Sequence, residues 1–578
     1  MFERLSWVEQ RIFDALALTL VIFYSYSAVL EPAATQYHRG VYVLITYILV
    51  FLIYPTKGLG VAGRVLDYLL IAASIVTIGY WMLNLEAINY RAGIETELDK
   101  WIAMVGVLLG IELARRVVGT VFVVIGALML LYGVYGASEL IPEAIQHAGD
   151  DFPALSTSIF YKSDGVFGIM ANVLATYIIL FVIFGAFLEA SGAQRFFIDF
   201  PLAAVGHKIG GPAKVSVIAS GLFGSISGSA IANTVSTGAF TIPMMKKAGF
   251  RPHVAGGIEP AASIGGMFMP PIMGAGGFIM AELTGVPYST IMLVAVFPAL
   301  MYFLSVFVMV HYEARRHNIV GEKSAESATV ILKREWFYVL PLVTITIFML
   351  SGYSPGYSAI LGIVTCIAVS WFRKETRIGP KRFLEASRSG AISSLKIGAT
   401  VGVIGIIIGV LTYSGLVLTF ADIVIELADG RLWLTILLIA LASLILGMGV
   451  PVTAAYLITA VVAVPALTEL GVNPIAAHMI VYWLSQDSNI TPPVCIAAFA
   501  GATIAKANMW KTAFTAFKFA KFLYLGPFLF GYVPAFSLDG STSDIVIAFV
   551  LIAVGTWAYA WLLSGIWLSW FDRGPKTA

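Results

Sequence analysis

Apolar residues run in long blocks along this chain, and polar residues gather in short stretches between them. Blocks long enough to cross a bilayer, or nearly so, fall at 12–30, 41–54, 66–85, 101–114, 117–135, 166–190, 291–310, 337–351, 357–372, 397–417, 513–530 and 545–570. A hydrocarbon core about 30 Å thick takes about 20 helical residues to span, so these blocks predict an all-α polytopic membrane protein. Two further regions, 215–281 and 432–505, are apolar but broken. The first breaks at Gly224-Ser225-Ile226-Ser227-Gly228-Ser229 and again at Pro270-Pro271. The second breaks at Gly447-Met448-Gly449-Val450-Pro451 and at Pro492-Pro493. Gly and Ser weaken a helix, and Pro removes a backbone donor.

The breaks are copies of one another. Pro243, Gly249, Pro252, Ala255, Ser263 and Pro270-Pro271 recur 222 positions later as Pro465, Gly471, Pro474, Ala477, Ser485 and Pro492-Pro493. With one residue of slippage, Ser191-Gly192 and Gly224 match Ser414-Gly415 and Gly447, 223 positions on. Non-helical backbone at membrane depth is tolerated only where protein buries it or it lines a wet cavity. Paired, interrupted segments in two halves point to a transport site at a repeat interface.

Charge orients the copies. Arg4 and Arg11, Lys57 and Arg64, Arg115 and Arg116, and Arg195, Lys208 and Lys214 mark alternate connections as cytoplasmic. Connections 86–99 and 139–151 are neutral or acidic. Lys214 and the group Lys246, Lys247 and Arg251 lie on one side, so the apolar run between them enters and leaves from the cytoplasm as a re-entrant helical hairpin. Lys396 is also inside, 397–417 crosses outward to Asp422, Glu426 and Asp429, and the hairpin 432–465 then enters from outside. The expected architecture is an inverted repeat with two opposed re-entrant hairpins and broken transmembrane helices.

Composition agrees. Of 578 residues, 59% are hydrophobic and only 12% charged, too few charges to cover a soluble surface; the net charge of +2 carries no message about nucleic acid, and no nucleic-acid partner is expected. Cys366 and Cys495 fall in separate apolar runs, so neither a disulfide nor a metal framework is expected. No cleavable signal peptide is read at the start, and both termini are expected in the cytoplasm. Trp336, Trp557, Trp561, Trp567 and Trp570 read as an interfacial belt.

Three segments resemble a known family: 224–233 (GSISGSAIAN), 242–249 (IPMMKKAG) and 270–275 (PPIMGA). They are similar to the large membrane subunit (DctM-like) of tripartite ATP-independent periplasmic (TRAP) transporters. Segments 270–282 and 489–500 look like the fused-permease branch that works with TAXI-type solute-binding proteins. The resemblance covers about 165–535, and the helices ahead of it resemble the small subunit (DctQ-like). It implies domains at 1–140 (small-subunit-like scaffold), 141–165 (periplasmic loop), 166–310 (first repeat), 311–396 (linker with a transmembrane hairpin), 397–530 (second repeat) and 531–578 (C-terminal helix).

The resemblance further implies an elevator-type importer in the inner membrane, coupled to sodium or to protons. Its cargo would be an organic acid handed over by a periplasmic solute-binding protein, with no other cofactor. Carried onto this chain, the ion ligands are Gly224, Ser225, Ser227, Asn233, Ser263, Gly265 and Gly266 on one side. On the other they are Gly447, Gly449, Thr453, Ser485, Asp487 and Thr491. Substrate would meet Ser229, Glu259, Pro270, Pro271, Pro451, Asn489, Pro492 and Pro493. One departure is visible: where the family commonly reads Ser-Thr-Gly-Gly, this chain has Ser263-Ile264-Gly265-Gly266, and a hydroxyl is missing at 264.

Three acidic residues fall in or beside the broken helices, where ionised carboxylates are costly and tend to be functional. Glu282 reads as an interfacial charge. Glu259 reads as a substrate ligand, with a helix cap or a pair with Arg251 as the alternatives. Asp487, before the Thr-Pro-Pro break, reads as linked to the driving ion. His253 and His478 lack a cluster of partners and read as interfacial or core residues. A membrane enzyme is disfavoured: no Gly-x4-Gly-Lys-Ser/Thr loop and no His-Glu-x-x-His helix occurs, and no Gly-x-Ser-x-Gly nucleophile has plausible partners. A channel would need a continuous path, which opposed hairpins suit less well than alternating closure.

Overall fold

The computed structural model describes residues 2–566; Trp567, Trp570 and the C-terminus expected in the cytoplasm lie outside the described residues. Among the described residues the regular elements are helices, with one isolated antiparallel bridge between Ile209 and Val320. Nine helices there are long and apolar enough to cross a membrane. The chain divides into two units. One holds the residues up to Ala190, Tyr353–Asp429 and Gly449–Ala466; the other holds Ser191–Gly352, Gly430–Met448 and the residues from Leu467 on.

In the first unit, local signals start the helices cleanly. Ser6 and Glu9 form a capping box ahead of Trp7–Val29, and Thr96 and Asp99 form another ahead of Glu97–Val117. Thr35–Ile53, Gly60–Tyr90 and Thr120–Val134 complete the N-terminal set. That set is bound to later parts of the chain. Arg388, on the helix Pro380–Gly398, grips Asp14 through two parallel hydrogen bonds of 2.8 Å.

The expected linker 311–396 is therefore largely helical: Pro380–Gly398 continues into Val401–Ser414 as a long apolar stretch. The expected periplasmic loop 141–165 also contains a helix, Phe152–Tyr161. It starts on the Asp151 carboxylate, which accepts from Ala154 N at 2.8 Å, and buries Phe160 against Gly106 of Glu97–Val117, Leu155 against Gly133 and Ile159 against Gly409.

Two helices of this unit meet backbone to backbone. A Cβ built on Gly402 would lie 2.5 Å from the Gly110 Cα, closer than real atoms come. Small residues at such crossings allow the close approach that dispersion needs in a lipid solvent. Gly402→Ala is expected to lower the stability of the purified permease by about 1–3 kcal/mol. Gly79→Ala, whose Cβ would meet nothing within 4 Å, should leave it unchanged or slightly raised. A thermal unfolding series in detergent reads both.

The second unit carries the first hairpin and both broken helices. Gly211–Ser227 and Ala230–Lys247 pack together as a helical hairpin turning at Gly228, whose φ of 62° is left-handed. The next helix runs Pro252–Phe268, breaks, and resumes as Gly274–Thr284. Its counterpart runs Pro474–Leu484, breaks through a short 3-10 turn at Asp487–Asn489, and resumes as Ile496–Ala505. Both halves of the second broken helix begin 222 positions after their counterparts. So do the left-handed residues before each resumption, Met273 (φ 59°) and Cys495 (φ 42°). The repeat read from the sequence is thus a repeat of conformation.

The broken helices also exchange partners. Gly501, in the second, lies against Gly256 and Pro260 of the first, and Gly276, in the first, lies against the Tyr482 ring of the second. Each helix packs on the far half of the other, as a two-fold relation between the repeats requires.

Candidate transport site

The first repeat brings four of the expected ion ligands together. A Cβ on Gly224 would lie 2.6 Å from Asn233 Nδ2, 2.8 Å from the Gly266 Cα and 3.3 Å from Ser263 O. Only glycine lets the hairpin arm approach the broken helix this closely. Asn233 is held by donating to Ser220 O at 2.8 Å. Ser263 Oγ and Ser227 Oγ are buried without a partner. Ser225 donates to Leu222 O at 2.9 Å, and Ser229 caps the second arm by accepting from Ala232 N. Gly265 turns the other way: its Cβ would meet Tyr302 and Phe303.

The carbonyls freed at Pro270-Pro271 are already engaged. Tyr482 Oη shares its one hydrogen between Met267 O and Met273 O at 2.8 and 2.6 Å, and Tyr288 Oη shares its own between Pro271 O and Ile272 O at 2.9 and 2.5 Å. The hairpin turn approaches the resumed helix, with a Cβ on Gly228 falling 3.2 Å from the Gly274 Cα. That places the turn beside the positive end of the helix Gly274–Thr284.

The second repeat is less satisfied. Gly447 packs on Ser488, its Cβ falling 2.4 Å from the Ser488 Cβ; this is the Gly224–Gly266 contact one repeat later. Asp487 is 3% exposed and its Oδ1 has no hydrogen-bond partner. Gln486 is fully buried with neither amide atom partnered, and Ser443 Oγ, on the helix Leu432–Leu446, is also unpartnered. Ser485 Oγ donates to Tyr482 O at 2.7 Å, Asn489 Nδ2 donates to Gln486 O at 3.2 Å, and the Thr491 and Tyr524 hydroxyls hydrogen-bond each other. Pro492 and Pro493 follow at the break. Gly449, Pro451 and Thr453 belong to the first unit, where Gly449 abuts Val121.

Glu259 neither caps a helix nor meets Arg251, which is exposed. It lies mid-helix, fully buried, and four hydroxyls surround its carboxyl. Ser216 and Ser220 reach it at 2.5 Å, and Thr237 and Thr241 also hydrogen-bond to it. Glu282 falls near the end of Gly274–Thr284 and is half-buried; His478 is buried and His253 half-buried.

Several of these groups escaped the reading of the sequence. Tyr482, Tyr288, Gln486, Ser443 and the four hydroxyls around Glu259 all went unnamed. The hydroxyls carried a legible signal, since 216/220 and 237/241 are each spaced to share one helix face. The tyrosines carried none, because Tyr482 and Met267 are 215 residues apart.

A many-spanned helical protein whose duplicated broken helices carry buried, unpartnered polar groups belongs to the secondary-transport permeases. More narrowly, the chain belongs to the family described as the tripartite ATP-independent periplasmic transporter, DctM component, whose model matches residues 105–536. The chain is 26% identical over 364 residues to the C4-dicarboxylate TRAP transporter large permease protein DctM of Pseudomonas aeruginosa, covering 62% of this chain and 84% of that one. It is 24% identical over 321 residues to the 2,3-diketo-L-gulonate TRAP transporter large permease protein YiaN of Escherichia coli, covering 54% and 74%. The YdaH transporter of Alcanivorax borkumensis, a crystal structure, aligns with a TM-score of 0.48 at 17% identity, over 75% of this chain and 98% of that one.

Proposed function

We propose that this chain is the fused small and large membrane permease of a TRAP system, importing an organic acid through the inner membrane with sodium as the coupling ion. On this reading a TAXI-type periplasmic protein delivers the substrate, and the transport core moves as an elevator against a scaffold that includes the small-subunit portion. The observation that carries the proposal is the set of buried groups without partners on the second break and on the helix packed against it: Asp487 Oδ1, Gln486 Oε1 and, from Leu432–Leu446, Ser443 Oγ. Buried polar groups are nearly always satisfied, so such a set suits a ligand. Carboxylate, amide and hydroxyl oxygens suit a hard cation.

The other parts of the proposal have their own support. Organic acids are named for both TRAP relatives above. The family match begins at residue 105, leaving three long helices ahead of it, and Asp14 on the first of these is joined to Arg388. That arrangement fits a small subunit fused in front. With no Arg pair in the transport region, an anionic substrate would meet neutral donors such as Gln486 Nε2 and the positive ends of the resumed helices.

The test is uptake into proteoliposomes, using the acid that thermally stabilises the cognate binding protein. An inward sodium gradient is expected to drive accumulation, and collapsing that gradient should stop it. Accumulation indifferent to sodium would remove sodium from the proposal.

A further inference from the structure

The first repeat buries a carboxyl with no counter-charge. Glu259 is fully buried, and no Lys, Arg or His pairs with it among the described residues. Charged groups on the helices around it are engaged or exposed. Lys214 meets His311 at 3.1 Å, Lys246 donates to Ala505 O at 2.7 Å, and Lys518 pairs with Glu313 at 3.4 Å. Lys247 pairs with Glu322, and Lys511, Arg251, Arg315 and Arg316 are exposed. On its own helix, His253 is at the N-terminal end; the Tyr302 hydroxyl, on the neighbouring helix, donates to Ala261 O. A buried carboxylate without a cation is costly unless protons or donors offset the charge.

Hydrogen counting shows how the enclosure meets either state of the carboxyl. Ser216, Ser220, Thr237 and Thr241 each bring one hydroxyl hydrogen. Eight oxygen pairs use these four hydroxyls: four with the carboxyl, Thr237 with Asn233 O at 2.7 Å and with Asn233 Oδ1 at 3.4 Å, Thr241 with Thr237 O at 3.1 Å, and Ser220 with Thr237 at 3.1 Å. A helical threonine commonly donates to the carbonyl four residues back, and both threonines are placed to do so. A carboxyl proton then serves one of the two threonines, while an ionised carboxyl is served by the threonines turning away from those carbonyls to donate to it. Oxygens 2.5 Å apart are at the distance of a charge-assisted O–H···O bond.

We propose that Glu259 is a proton-carrying site of this permease, enclosed by the hydroxyls of Ser216, Ser220, Thr237 and Thr241 and separate from the cation groups around Asp487. The same enclosure serves both states: when the proton leaves, the hydroxyls turn to donate to the carboxylate, which accepts four such bonds. The repeats place their acids at unequal positions. Val481 stands 222 residues after Glu259, and Gly265 stands 222 before Asp487. The two carboxyls are therefore not copies of one site.

The proposal rests on the reading of the chain as a cation-coupled carrier, so its test needs no transport. Infrared spectra of the purified full chain in lipid are compared with those of Glu259→Gln as pH is raised from mildly acidic to alkaline. A buried carboxylic acid C=O band is expected in the wild type, lost in Glu259→Gln and bleached reversibly at high pH. Ser220→Ala, which keeps the carboxyl and removes one partner, should shift the band, and this variant decides the matter if Glu259→Gln does not fold. No band assignable to Glu259 at any pH would overturn the proposal. So would a band that never bleaches, because a proton that never leaves cannot be carried. Loss of sodium drive with an intact, titrating band would sink the sodium reading and leave this one standing.

Discussion

Asp487→Asn is expected to weaken ion-driven accumulation severely while the protein still inserts and folds. The change removes a charge at nearly constant shape. Asp487 Oδ1 is buried without a partner, so little native bonding is lost and folding should be spared. A cation at this position would lose a charged ligand worth about 3 kcal/mol, roughly a hundredfold in affinity. The sodium concentration for half-maximal uptake should rise by about that factor, or the sodium order should fall by one ion. Exchange of substrate across the membrane without a gradient should persist. Wild-type ion dependence in the variant would reduce Asp487 to a structural residue. Asp487→Glu, which keeps the charge but lengthens the arm, should fall between the two.

Much of this was open to a reader of the sequence, for identifiable reasons. The Pro-Pro pairs and Gly clusters mark breaks through backbone chemistry alone, and the structure breaks both helices there. The 222-residue spacing predicted a repeat, and Met273 and Cys495 bear it out in their backbone angles. Partner choice was not legible, because it depends on which helices meet. Glu259 offered Arg251 as the nearest opposite charge in sequence, yet one helical turn separates two residues by 3.6 positions and places Arg251 at the exposed N-terminal end. Its real partners came from both arms of the preceding hairpin. Likewise, the freed carbonyls of the first break looked available for a cation, but Tyr482 and Tyr288 occupy them. The second break, where Gln486 and Asp487 keep unpartnered atoms, is the more open of the two. The helix Phe152–Tyr161 was read as loop because only four apolar positions, Leu155, Ile159, Phe160 and Tyr161, mark its buried face over ten residues, too short a run for a periodic signal.

Uptake is expected to depend on a soluble binding protein, and the first unit offers the surface on which it would dock. TRAP permeases work with such a protein, and among the described residues the segments between helices are too short to form a ligand-binding core of their own. The structure brings two acidic segments together on one unit. Tyr413 donates to Gly149 O at 3.1 Å and lies 3.3 Å from the Asp150 carboxylate, and the turn Glu143–Ile145 packs on the helix Leu416–Leu427. Glu139, Glu143, Asp151, Asp422 and Glu426 are all exposed there. Such a patch favours a partner with a basic contact face, attracting it over about 8 Å at physiological salt. Reversing the charge at Glu143 and Glu426 together should lower uptake at scarce binding protein by about tenfold, through slower encounter. Excess binding protein should restore the maximal rate, because the transport site is untouched. Raising salt should weaken the wild type and shrink its advantage over the double variant. Equal, saturable uptake by the permease alone would exclude dependence on any partner. Uptake that needs the partner but ignores the charge reversal would move the docking face elsewhere on the molecule.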